Sequence, residues 1–100
     1  MYVFRAAVWK WKGDSAWHFA TVPDEVSDEI EARTAHVAGG FGSVKVRVTI
    51  GSTTWETSLF PDSKAQAYVL PVKAPVRKAE RIATDDEVEI RLEVVHPGAH

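Results

Sequence analysis

The chain has 100 residues and a mass of 11.1 kDa; 45% of its residues are hydrophobic and 26% charged, the formal net charge is -2, and there is no cysteine. That length and composition fit a single domain over residues 1–100 with one core, and they exclude disulfide scaffolds, thiol catalysis and cysteine-rich zinc sites. The acidic balance argues against a protein whose main work is holding nucleic acid. No run approaches the ~20 apolar residues of a membrane span, and the first residues carry no signal-peptide pattern, so a cytoplasmic protein is expected.

Tyr2 to Trp9 predicts a strand with Tyr2, Phe4, Ala6 and Val8 on one face, and Trp9 and Trp11 alternate with Lys10 and Lys12. A second strand is expected over Trp17 to Ala20. Val22, Val26 and Ile30 then recur every fourth residue and predict a helix. It carries the purely acidic set Asp24, Glu25, Asp28, Glu29 and Glu31, whose early members suit the positive end of the helix dipole. Pro23 fits the first turn, Thr21 is the candidate N-cap, and Gly39-Gly40 ends any continuation.

Gly39-Gly40-Phe41-Gly42 is the one Gly-rich loop. A phosphate cradle follows a strand and opens a helix, and here the order is reversed. The loop also lacks the basic and stacking residues of the RNA-recognition consensus, so it reads as a lead-in to a strand.

Val44, Val46, Val48 and Ile50 alternate with polar residues, and Thr54 to Phe60 is β-branched and aromatic. With Gly51-Ser52-Thr53 between them, the pair predicts a hairpin that Pro61-Asp62 ends. Ala67 to Val72 predicts a fifth strand, Pro75 to Ala83 a short helix, and Val88, Ile90, Leu92 and Val94 the clearest strand of all. About six strands and two short helices imply a mainly β fold, a small closed or double-split β-barrel with helices over its ends.

The most suggestive polar feature is the basic stretch Lys73, Arg77, Lys78 and Arg81. Arg77 and Arg81 are spaced one helical turn apart, and like charges at that spacing repel. A bound anion or an acidic surface would balance them, as would Glu80 and the acidic helix. Arg47 is added to this candidate ligand-binding rim, with Glu56 placed to pair across the hairpin. Trp55 is the candidate aromatic partner, although Trp17 and Trp55 both read first as core or barrel-end packing. His18, His36, His96 and His100 have no ligand spacing, and Asp85-Asp86-Glu87 reads as a solvated turn. No residue is assigned a catalytic or metal-binding role, and no cofactor is implied.

Several blocks together resemble a known family: Phe4-x-Ala6, Trp17-His18-Phe19 with Val22-Pro23, Thr54-Trp55-Glu56-Thr57-Ser58-Leu59-Phe60-Pro61, and Leu70-Pro71-Val72-Lys73 followed by Val76-Arg77-Lys78. From about Tyr2 to Val95 the chain looks like DUF1905, a bacterial family of small proteins with no established activity. The resemblance implies a closed or split β-barrel like that of some small transcriptional regulators, and it marks Trp55, Lys73, Arg77 and Lys78 as positions to watch. One departure is Asp85-Asp86, where a Gly-Asp turn is usual in the family.

Four functions compete at this point. The first is a non-catalytic module that binds an anionic small molecule on the basic rim. The second is a protein-interaction or homo-oligomerisation module in which an acidic helix meets a basic one. Nucleic-acid binding, on fold analogy alone, and enzymatic activity rank below these.

Overall fold

The structure is a computed structural model that describes residues 1–13, 16–34 and 42–95. In chain order its elements are β1 (Tyr2–Lys10), β2 (His18–Thr21), α1 (Asp24–Thr34), β3 (Val44–Ile50), β4 (Thr53–Asp62), β5 (Ala67–Pro71), α2 (Ala74–Ala79) and β6 (Glu87–Val94). All strand pairs are antiparallel, and the sheet closes in the order β1-β2-β5-β4-β3-β6. The expected closed barrel of six strands with two short helices is what the chain forms.

Two strands change partner midway. β1 pairs with β6 over Tyr2–Ala7 and with β2 over Val8–Lys10. β4 pairs with β3 over Thr53–Leu59 and with β5 over Phe60–Asp62. The barrel is therefore two sheets that share β1 and β4: one is completed by β3 and β6, the other by β2 and β5.

The period-two pattern decides which side chains fill the barrel. Phe4, Val8, Ala20, Val44, Val46, Val48, Ile50, Leu59, Tyr68, Leu70, Ile90 and Leu92 are buried in a single cluster. Each large aliphatic side chain fully removed from water contributes about 1.5–3 kcal/mol. Closure also pairs the backbone edges that open sheets leave bare.

A helix covers each end. At one end α1 buries Ile30, and Val22 just before it is also fully buried. Ser27 Oγ donates to the Val22 carbonyl (3.1 Å) and accepts from the Tyr68 N–H (3.1 Å), which fastens α1 to β5. At the other end Val76 of α2 and Ile82 beyond it join the core. There the Glu80 carboxylate accepts from Thr53 Oγ1 (2.5 Å) and Ser52 Oγ (3.4 Å), tying α2 to the β3–β4 turn. Gly51 leaves room for it, since a Cβ at Gly51 would collide with that carboxylate and its φ of +59° suits the first position of a primed hairpin turn.

Four local expectations need correction. The second helix ends at Ala79 rather than running to Ala83. Ile82 N–H bonds the Arg77 carbonyl (2.8 Å), Arg81 N–H bonds the Lys78 carbonyl (3.3 Å), and Arg81 itself has φ +55°. This is a Schellman closure with Arg81 at the left-handed position that glycine usually takes, so Arg77 and Arg81 do not share a helix. Thr21 does not cap α1, because it lies in β2 and its hydroxyl accepts from the Trp9 indole (2.9 Å). Pro61 does not end β4; it sits beyond Leu59, the last residue paired with β3, in a stretch laddered on one side only, where proline is tolerated. Trp17 is not core but 61% exposed, whereas Trp55 does pack against the core from β4.

Among the described residues, no helix is long and apolar enough to cross a membrane. The Gly39-Gly40-Phe41 part of the Gly-rich loop, and His36, His96 and His100, lie outside the described residues.

Candidate functional site

The site begins where β5 gives way to α2. Pro71 ends the strand and Pro75 occupies the first turn of α2, where its missing N–H leaves no bond unmade. Between them Val72 turns inward and Lys73, the N-cap position, turns out into solvent. Val72 N–H bonds the His18 carbonyl (2.9 Å), so the start of β2 is held against this junction.

Here Trp17, His18, Pro71, Val72, Lys73, Ala74 and Arg77 line a cavity of about 290 Å³. Its wall is mostly apolar, and among the described residues that line it the cations are Lys73 and Arg77 and none is a carboxylate. Arg77 is positioned by two backbone carbonyls: Nε donates to Val72 (3.1 Å) and a terminal nitrogen donates to Ala16 (3.3 Å). Carbonyls orient a guanidinium without cancelling its charge, and they use two of its five donors. Among the described residues the rest of the fork has no partner, and its geometry suits a planar acceptor such as a carboxylate or phosphate.

His18 is buried behind this wall. Its Nδ1 lies 2.8 Å from the Ala16 carbonyl and its Nε2 lies 2.9 Å from Thr84 Oγ1. A carbonyl can only accept, so Nδ1 carries the proton and Nε2 faces the hydroxyl. With both nitrogens engaged, the ring is a brace between the β2 start and the turn before β6. Ala16 thus accepts from both His18 and Arg77.

The structure divides the sequence-derived candidates. Lys73 and Arg77 come together in the cavity. Lys78 and Arg81 are exposed and are not among the residues that line it. Arg47 lies on the outer face of β3, where it pairs with Glu56 (3.0 Å) and reaches Glu93 (3.8 Å). Trp55 sits on the inward side of β4; its indole Nε1 is buried without a hydrogen-bond partner among the described residues. Glu80 does not balance the basic stretch, since its carboxylate is taken by Ser52 and Thr53. Among the described residues, no ion pair involves Lys73, Arg77, Lys78 or Arg81.

Sequence reasoning missed Trp17 and His18 as cavity walls. The signal for Trp17 was strand parity: if Ala20 points inward, Phe19 and Trp17 point out, while His18 shares the inward side with Ala20. A second cavity, of about 530 Å³, lies at the opposite end between Ser27, Asp28 and Glu31 of α1 and the Pro61–Tyr68 segment. Tyr68 lines it, and burial, followed by the Glu31 carboxylate, pushes its phenol above the usual value of 10.0 against the opposing effect of a Thr34 hydrogen bond. Among the described residues, no cluster of three His, Asp or Glu side chains could hold a metal.

Comparison with known proteins gives one family. The family described as Domain of unknown function (DUF1905) matches residues 4–92. No curated protein matches the chain.

Proposed function

For a chain that belongs to the DUF1905 family, whose description assigns no activity, we propose that the cavity beside α2 binds a small organic anion. The observation that carries this reading is the pairing of Lys73 and Arg77 at a cavity that is otherwise mostly apolar, with no carboxylate among the described residues of its wall. A volume of about 290 Å³ is at the lower end of small-molecule pockets, which place a few polar groups in a mostly apolar wall. The anionic group engages the free donors of Arg77 and the Lys73 ammonium, and the organic body lies on Trp17 and Pro71. Binding, rather than catalysis, is the reading because His18 is held at both nitrogens and, among the described residues, no hydroxyl, thiol or carboxylate side chain lines the cavity.

Titration of labelled protein with pooled phosphorylated and carboxylated metabolites at low salt, followed by amide NMR, tests this. Saturable shifts focused on Trp17, His18 and Val72 to Arg77, lost in Lys73→Glu, are expected. No saturable shift, or shifts that survive Lys73→Glu unchanged, would overturn the reading.

A further inference from the structure

The second sheet carries an aromatic outer face. Register places Trp9 beside Phe19 and Phe19 beside Pro71 in one row, and Thr21, Val69 and Phe60 in the next. Trp9 and Phe19 pack with ring centres 5.2 Å apart and planes tilted by 37°, and Trp17 leans on Phe19 at 6.0 Å. Trp11 N–H bonds the Trp17 carbonyl (2.9 Å), so the face extends beyond the strands. Trp11, Trp17 and Phe60 are 49%, 61% and 44% exposed. At roughly 150–250 Å² per aromatic side chain, these three alone leave on the order of 300 Å² bare, a patch of the kind that marks an interaction site.

The two ends of this face carry opposite charge. Beyond Trp17 and Pro71 stand Lys73 and Arg77, which share a cavity with them. Beyond Phe60 stand Asp28, Glu31 and Asp62, which share the other cavity with Pro61. We infer that this face docks a second copy of the chain about a two-fold axis that lies in the interface and crosses the strands. Such an axis reverses the partner, so the basic end of each barrel meets the acidic end of the other, twice. An axis along the strands would instead set like charges together at both ends. The self-complementary patch is what an isologous dimer requires. The aromatic centre with its charged flanks has the layout of an interface, an apolar core inside a polar rim. This inference does not rest on anion binding: Trp11, Phe60, Asp28 and Glu31 lie outside the proposed anion site, while Trp17, Pro71, Lys73 and Arg77 belong to both, so a bound anion and the partner's acidic end compete there.

Sedimentation over a concentration series tests it. The wild-type chain is expected to dimerise, more weakly as salt rises. Trp11→Ser/Phe60→Ser is expected to be monomeric, with its circular dichroism and melting curve showing that it is folded. Lys73→Glu/Arg77→Glu and Asp28→Lys/Glu31→Lys should each dimerise roughly tenfold or more weakly, because both junctions then repel. Mixing the two should restore a dimer, since both junctions of the mixed pair attract. A wild-type monomer at every concentration overturns the inference, as does a dimer untouched by Trp11→Ser/Phe60→Ser. So does a mixture that associates no better than its components.

Discussion

The two sheets of this barrel share an interior and differ on the outside. The sheet completed by β3 and β6 is faced with alternating charge. Arg5 pairs with Glu87 (3.0 Å), Arg47 with Glu56 (3.0 Å) and Arg91 with Glu89 (3.5 Å). The sheet completed by β2 and β5 is faced with Trp9, Phe19, Val69, Pro71 and Phe60. A strand's inner residues must be apolar wherever a core exists, so they say nothing about partners. Its outer residues are free to be polar, and on the first sheet this chain mostly makes them so, with Val3 opposite Arg91 as an exposed exception. An aromatic outer face on the same barrel is therefore the informative departure.

The strongest way to break that comparison is to show that the two sheets differ inside as well. Leu70 and Leu92 lie fully buried, one beneath each face. Leu70→Ala and Leu92→Ala are each expected to cost about 2–5 kcal/mol in chemical denaturation, since both leave a cavity in the same core. A small cost for Leu70→Ala alone would mean that the aromatic sheet is loosely held, and that its outer face reflects poor packing.

The acidic flank of the aromatic face can be followed through Tyr68. Burial, and then Glu31, raises its phenol above the ordinary 10.0, so the folded chain keeps the proton that the unfolded chain releases. The linked stability is fully present below pH 10 and is lost as pH rises through the folded value. Alkaline unfolding monitored by fluorescence should show this loss, and Tyr68→Phe should flatten it. If Tyr68→Phe leaves the alkaline limb unchanged, the phenol is not the group that titrates.

Much of the architecture was legible because alternation is a direct imprint of burial: Val44 to Ile50 and Val88 to Val94 could only be half-buried strands. Lys73 and Arg77 were legible as part of a basic cluster, but the sequence also offered Glu80 to balance them, and only the fold commits Glu80 to Ser52 and Thr53. Trp17 was not, because a tryptophan beside a strand is equally at home inside or outside until the strand's parity is fixed. The end of α2 was hidden because its left-handed closing residue is Arg81 rather than glycine. Asp85, at φ +74°, likewise holds a left-handed position that glycine favours. Arg81→Gly should therefore stabilise the fold by about 1 kcal/mol in thermal unfolding. Asp85→Gly should gain less, because aspartate tolerates that region better. A loss of stability in Arg81→Gly would show that the arginine side chain contributes more than its backbone strain costs.

The smallest expected effect lies on the charged face, and it bears most directly on the contrast between the faces. Arg47 and Glu56 are joined at 3.0 Å with side chains 50% and 45% exposed, so solvent screens most of their attraction. A double-mutant cycle to alanine should give a coupling of about 0.2–1 kcal/mol, and it should fade as salt shortens the Debye length. Glu93, at 3.8 Å from the same guanidinium, can take over part of the bond when Glu56 is removed, so the cycle repeated in Glu93→Ala should give the larger coupling. A coupling above about 2 kcal/mol that persists at high salt would place this ladder outside the range of exposed pairs. The charged face would then be part of what holds the barrel closed, and the aromatic face would lose its standing as the outer surface that solvation does not explain.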